Sequence, residues 1–99
     1  MRLTEQQITV IKHIAHAELG EGAQVMLFGS RVDDSAKGGD IDLLFTSPNN
    51  IDNQAQTAGR IYAQLVRQLG DQKIDILLKA PNLQLLAIHA QAEQSGTPL

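Results

Sequence analysis

The chain has no cysteine and no tryptophan. The first absence excludes disulfide bonds, thiolate nucleophiles and cysteine metal ligands. Aromatic residues are nearly missing as well: Phe28, Phe45 and Tyr62 are the whole set, so a core has to be built from Leu, Ile, Val and Ala. No apolar run approaches the roughly 20 residues a membrane-crossing helix needs. The opening Met1-Arg2-Leu3-Thr4-Glu5 lacks the apolar stretch of a secretion signal. A cytoplasmic protein without a membrane partner is expected. Basic residues are outnumbered, eight Lys and Arg against eleven Asp and Glu, for a formal net charge of −3. A broad nucleic-acid footprint calls for the opposite sign, so no direct nucleic-acid binding is expected. A single nucleotide stays compatible, because metal ions can neutralise its phosphates.

With 99 residues the chain suits one domain, residues 1–99, with one modest core and no room for a second lobe. Thr4 followed by Gln7 reads as a capping box. Ile8, Ile11, Ala15 and Leu19 then recur at helical spacing until Gly20 and Gly22 stop the helix. Residues 24–28 form a short apolar run suited to a buried strand, residues 31–39 a polar loop, and residues 40–46 a second strand closed by Ser47-Pro48-Asn49-Asn50. Ile51, Ala55, Ala58, Tyr62, Leu65 and Leu69 predict an amphipathic helix with Tyr62 on its apolar stripe and Gly70 beyond its end. Residues 73–79 read as a third strand. A last helix is expected from Ala80-Pro81-Asn82 onward, with Leu83, Leu86, Ala87 and Ala90 on one face and Gly96 and Pro98 ending it. The order α-β-β-α-β-α describes an α/β (α+β) domain: a small mixed sheet of three or four strands flanked by helices.

The chemistry concentrates in two places. Gly29-Ser30 turns the chain at the end of the first strand, and Asp40-Ile41-Asp42 follows ten to twelve residues after Ser30. Two carboxylates two apart on a strand point to one face, about 6.6 Å apart along the backbone. Asp75 lies in the third strand among Ile74, Ile76, Leu77 and Leu78, where an acid is costly unless paired or bound. The intervening segment holds a helix, long enough to lay strands two and three side by side. Unit charges about 4 Å apart repel by about 4 kcal/mol at an effective dielectric near 20. Three converging carboxylates therefore call for a cation, and Mg²⁺ carrying a phosphate fits them. At Gly29 the backbone can approach a phosphate closely, and the Ser30 hydroxyl and the N–H groups of the turn can donate to its oxygens. Arg31 and Lys37 are near enough in sequence to reach the same oxygens. Asp33 and Asp34 read as solvated loop charges, His13 and His16 as a polar helix face, and His89 as a helix-surface residue.

These residues resemble the nucleotidyltransferase fold of the DNA polymerase beta superfamily. The string from Phe28 through Gly29-Ser30 to Asp40-Ile41-Asp42-Leu43 is similar in particular to the minimal nucleotidyltransferases, and the likeness spans roughly residues 24–90. Many members have a serine just before the acid pair where this chain has Gly39; the departure touches a phosphate or loop contact. The resemblance implies two Mg²⁺ ions on Asp40, Asp42 and Asp75, with Asp75 serving as, or aligning, the base for the acceptor hydroxyl. It implies ATP on Gly29, Ser30 and Arg31. It also implies a partner, since larger members carry a helical substrate domain on the same chain. Minimal members resemble the antitoxin half of modules whose other half is a HEPN-type helical toxin, silenced by transfer of AMP to one of its tyrosines. Two further readings stay open: a non-catalytic nucleotide-binding module that neutralises its partner by covering it, and nucleotidyl transfer to a small molecule with a partner-supplied substrate domain.

Overall fold

The computed structural model describes residues 3–28, 41–70 and 73–99, with the backbone alone at 87 and 88. Helix α1 (Glu5–Leu19) starts on the expected capping box: the Thr4 hydroxyl accepts from the Gln7 N–H at 3.1 Å, and the Gln7 side chain accepts from the Thr4 N–H at 2.9 Å. It ends at Gly20, whose φ of 105° lies in the region that only glycine enters freely. Strand β1 (Gln24–Phe28) runs antiparallel to β2 (Ile41–Thr46), and a crossover through α2 (Gln54–Leu69) brings β3 (Ile74–Lys79) parallel to β2. After α3 (Ala87–Ser95), residues Thr97–Pro98 form a short β4 against β1, and the Leu99 N–H donates to the Val25 carbonyl at 3.0 Å. The sheet order is β3-β2-β1-β4. Proline is admissible in β4 because the strand lies at the sheet edge. No helix among the described residues is long and apolar enough to cross a membrane.

Strand alternation divides the sheet into two faces. Val25, Leu27, Ile41, Leu43, Phe45, Ile74 and Leu78 face α1 and α2 and join Ile11, Ile14, Ala15, Leu19, Ile61 and Leu65 in the main core. The opposite face carries Met26 and Phe28, Asp42 and Leu44, and Asp75 and Leu77. Helix α3 crosses that face diagonally. Its His89 meets the Leu78 carbonyl, its Glu93 pairs with Lys79, and Gly96 packs against Leu27 and Met26, where a Cβ would sit 3.1 Å from the Leu27 carbonyl oxygen. Leu44 is fully buried on this face, while the strand ends that carry Asp42 and Asp75 lie away from the α3 contacts.

The structure corrects the sequence reading at three points. Helix α2 begins after Asn53, whose side chain accepts from the Gln56 N–H at 3.0 Å, so Ile51 precedes the helix. Ile51 is buried in a loop that Asn82 clasps, accepting from the Ile51 N–H at 2.9 Å and donating to its carbonyl at 2.8 Å. The buried face of α2 is Thr57, Ile61 and Leu65, and Tyr62 is 45% exposed. Glu18 of α1 holds Arg60 and Gln64, both at 2.9 Å, on the side of α2 that faces α1. Finally, α3 starts at Ala87, later than expected, which leaves Leu85 and Leu86 exposed and buries His89.

The Glu18 contact makes stability depend on acid. The hydrogen bond from Arg60 holds the Glu18 carboxyl below its ordinary 4.5 against the opposing effect of burial, helped by Gln64 and by the Arg60 charge. A carboxyl lowered in the folded state contributes stability that is complete above the unfolded value and lost as pH falls through the folded one. Glu18→Gln is expected to lower the melting temperature at pH 7 and to flatten its decline below pH 4.5, as followed by circular dichroism.

Candidate active site

Of the carboxylates singled out in the sequence, two are placed by the sheet. Asp42 and Asp75 are register partners on the parallel strands β2 and β3. Residues paired this way point to the same face with their strands about 4.8 Å apart. Both sit second in their strands, at the same end of the sheet. Asp75 is exposed and Asp42 half-buried. The antiparallel partner of Asp42 is Phe28, half-buried, the last residue of β1. The chain thus leaves β1 beside the carboxylate pair, and the next two residues in sequence are Gly29 and Ser30. Gly29, Ser30, Arg31, Lys37 and Asp40 lie outside the described residues, as do Asp33, Asp34 and Gly39.

Local sequence accounts for the placement. Ile41, Leu43 and Phe45 must enter the core, and Ile74, Ile76 and Leu78 must do so on the neighbouring strand. The residues between them, Asp42 and Asp75, then have no choice but the other face. Like charges on facing positions of neighbouring strands repel, and less where one of them is solvated, as Asp75 is. The pair offers hard oxygen donors at an open strand end, a donor set that suits Mg²⁺, which keeps several waters and takes one or two protein carboxylates together with substrate phosphates. Among the described residues no group of three metal-ligating side chains occurs; Asp40, the third acid of the expected set, is outside them.

Other polar features are occupied elsewhere. A cleft of about 440 Å³ lies beyond the far end of β2, lined by Glu18, Asn49, Asn53, Thr57 and Arg60 among others. Its side chains are engaged with one another or with helix ends: Arg60 with Glu18 and Thr57, Asn53 with the start of α2. His13 and His16 are exposed, on the polar side of α1. His89, expected on the surface, is 3% exposed. Its Nδ1 accepts from the Leu86 N–H at 3.0 Å, which leaves Nε2–H to donate to the Leu78 carbonyl at 2.9 Å. Nε2 thereby ties α3 to β3, while Nδ1 caps the start of α3 itself. Among the described residues, Phe28 is the register partner of Asp42 that the sequence did not single out for the site; its position directly before Gly29 was the available signal.

A family model described as a nucleotidyltransferase domain matches residues 9–93. No curated protein sequence matches the chain significantly.

Proposed function

The chain belongs to the nucleotidyltransferase domain family, a family of transferases of nucleotidyl groups, and on that footing we propose that it moves AMP from ATP onto a tyrosine hydroxyl of a HEPN-type helical partner and so acts as that partner's antitoxin. The observation that carries the reading is the register of Asp42 with Asp75, and of Asp42 with Phe28, the residue that precedes Gly29-Ser30 in sequence. Asp40 lies two residues before Asp42, a chain length of about 7 Å at most. Asp40, Asp42 and Asp75 would hold two Mg²⁺ ions, which supply charge neutralisation on the triphosphate and on the developing oxyanion. Gly29 and Ser30 would cradle the phosphates, with Arg31 donating to their oxygens.

The chemistry then follows from the residues. The acceptor oxygen forms a bond to the α-phosphorus, the bond from that phosphorus to the bridging oxygen breaks, and pyrophosphate leaves. Asp75, exposed at the rim, takes the hydroxyl proton; Asp42, half-buried between β1 and β3, keeps its charge toward the nucleotide. Cytoplasmic location and dependence on a separate helical protein belong to the same proposal.

Incubation with α-labelled ATP, Mg²⁺ and the co-purified product of the neighbouring gene tests it. Label is expected on a tyrosine of the partner, with release of one pyrophosphate per AMP transferred. Neutralisation of the partner in cells with no label transferred to it would replace catalysis by a covering, non-catalytic role.

A further inference from the structure

Strand β3 ends the sheet, and its outer side is closed only in part. The carbonyls of Lys73 and Lys79 accept from the N–H groups of Ile41 and Ser47. In a parallel ladder this means that the odd-numbered residues of β3 turn their backbone groups toward β2, while Ile74, Ile76 and Leu78 turn theirs outward. At Leu78 the outward carbonyl is held by His89 at 2.9 Å. At Ile74 and Ile76 no described residue pairs with the outward N–H or carbonyl. Among the described residues the edge is therefore capped at the end far from the carboxylates and unpaired on both sides of Asp75, where Ile76 is half-buried and Ile74 is 5% exposed.

We propose, resting on the transfer reading above, that this open edge receives the acceptor protein as an extended segment that adds a fifth strand beside β3 and delivers its hydroxyl to Asp75. Alternating donors and acceptors at strand spacing are met by another backbone, not by a small molecule. An antiparallel segment bonded to Ile74 and Ile76 places its intervening residue opposite Asp75 in a non-hydrogen-bonded pair. In such a pair Cα atoms are about 4.5 Å apart and both side chains leave the same face. That face is the one carrying Asp42. Helix α2 adds an apolar flank. Arg60 and Gln64 reach toward Glu18 of α1, and Tyr62, about 200° around the helix from Arg60, is exposed on the side away from α1.

A second copy of this chain is the poorer occupant. A two-fold pairing of Ile74 with Ile76 sets Asp75 against its own equivalent, and like charges directly opposite are destabilising. A two-fold pairing of Ile76 with itself brings Ile74 opposite Leu78, whose carbonyl His89 already holds. The charge at Asp75 thus disfavours self-association at the edge while leaving it open to a segment with a neutral hydroxyl residue at that position.

The full-length HEPN-type partner is the probe. On its addition, amide exchange of Ile74 and Ile76 is expected to slow by about tenfold or more. Free-rate exchange of both amides in a formed complex overturns the proposal. Ile76→Pro removes the outward N–H and spares the ladder to β2, whereas Ile76→Ala removes the same side chain and keeps the N–H. At sub-saturating partner, Ile76→Pro is expected to transfer label about tenfold more slowly than Ile76→Ala, with equal binding of a fluorescent ATP analogue and Mg²⁺ by both. Equal transfer by the two variants overturns the docking edge. Should Ile76→Pro fail to fold, amide exchange in the unsubstituted protein decides. Should the unsubstituted protein bind no nucleotide, it is the transfer reading that fails, and slowed or free exchange still judges the edge by itself.

Discussion

Asn in place of Asp42 or Asp75 is expected to lower AMP transfer by about 10²–10³-fold, the usual cost of removing one preorganised electrostatic group from a reaction centre. The substitution keeps the shape of the side chain and takes away its charge. Asp75 is exposed, with no ion-pair partner among the described residues, so Asp75→Asn removes no structural contact and relieves repulsion with its register partner Asp42. Without ligand this variant is expected to melt at or slightly above the parental temperature. With Mg²⁺ and ATP the parent is expected to gain about 2.7 kcal/mol of stability at a ligand concentration 100 times its Kd, a rise of about 10 °C or more for a domain this small, and Asp75→Asn to lose that gain. Activity and ligand-dependent stability should thus fall together while intrinsic stability does not. Parental rates of transfer in both variants would remove these carboxylates from the mechanism.

The second large effect is on the fold. His89→Ala deletes a buried ring that bonds at both nitrogens, to the Leu86 N–H and the Leu78 carbonyl. A buried carbonyl left without its donor costs about 1–3 kcal/mol, and loss of the second bond about 1 kcal/mol more. A loss of about 2–4 kcal/mol is a large share of the 5–15 kcal/mol a domain of this size possesses, and the melting temperature should drop by about 10 °C or more. A drop of under about 3 °C, in a range that small domains give for well under 1 kcal/mol, would mean that water replaces both bonds. The variant also uncaps the far end of the β3 edge, so faster aggregation on heating is expected, read by light scattering.

Much of the architecture was legible because local rules and tertiary packing agree there. The capping box at Thr4 and Gln7, the stop at Gly20 and the strand at Gln24–Phe28 all stand where the sequence puts them. The strands Ile41–Thr46 and Ile74–Lys79 were legible as short apolar runs bounded by turn residues. Helix rotation was not. Two apolar stripes overlap on α2, one through Tyr62 and one through Ile61, and periodicity alone does not choose between them; burial of Ile61 and Leu65 against the sheet does, with the Glu18 contacts to Arg60 and Gln64 consistent with it. The start of α3 differs from the sequence expectation because Leu83, Leu86, Ala87 and Ala90 share a helical spacing. Asn82 spends its side chain on Ile51 instead, and the chain stays non-helical until Ala87.

His89 shows the limit most plainly. An isolated imidazole on a short polar helix carries no local sign that it will be buried: the Leu86 N–H is a local partner at the helix start, but the Leu78 carbonyl becomes one only once α3 has docked on the sheet. By itself the sequence determined which residues carry charge inside apolar strands and that they share a periodicity of two, because that is a property of the backbone. Only the tertiary structure decided that Asp42 and Asp75 stand opposite each other, and that among the described residues the β3 edge is unpaired beside Asp75 and capped by His89 at its other end. Register and edge pairing are set by which strands meet, and that contact is made across more than thirty residues of chain.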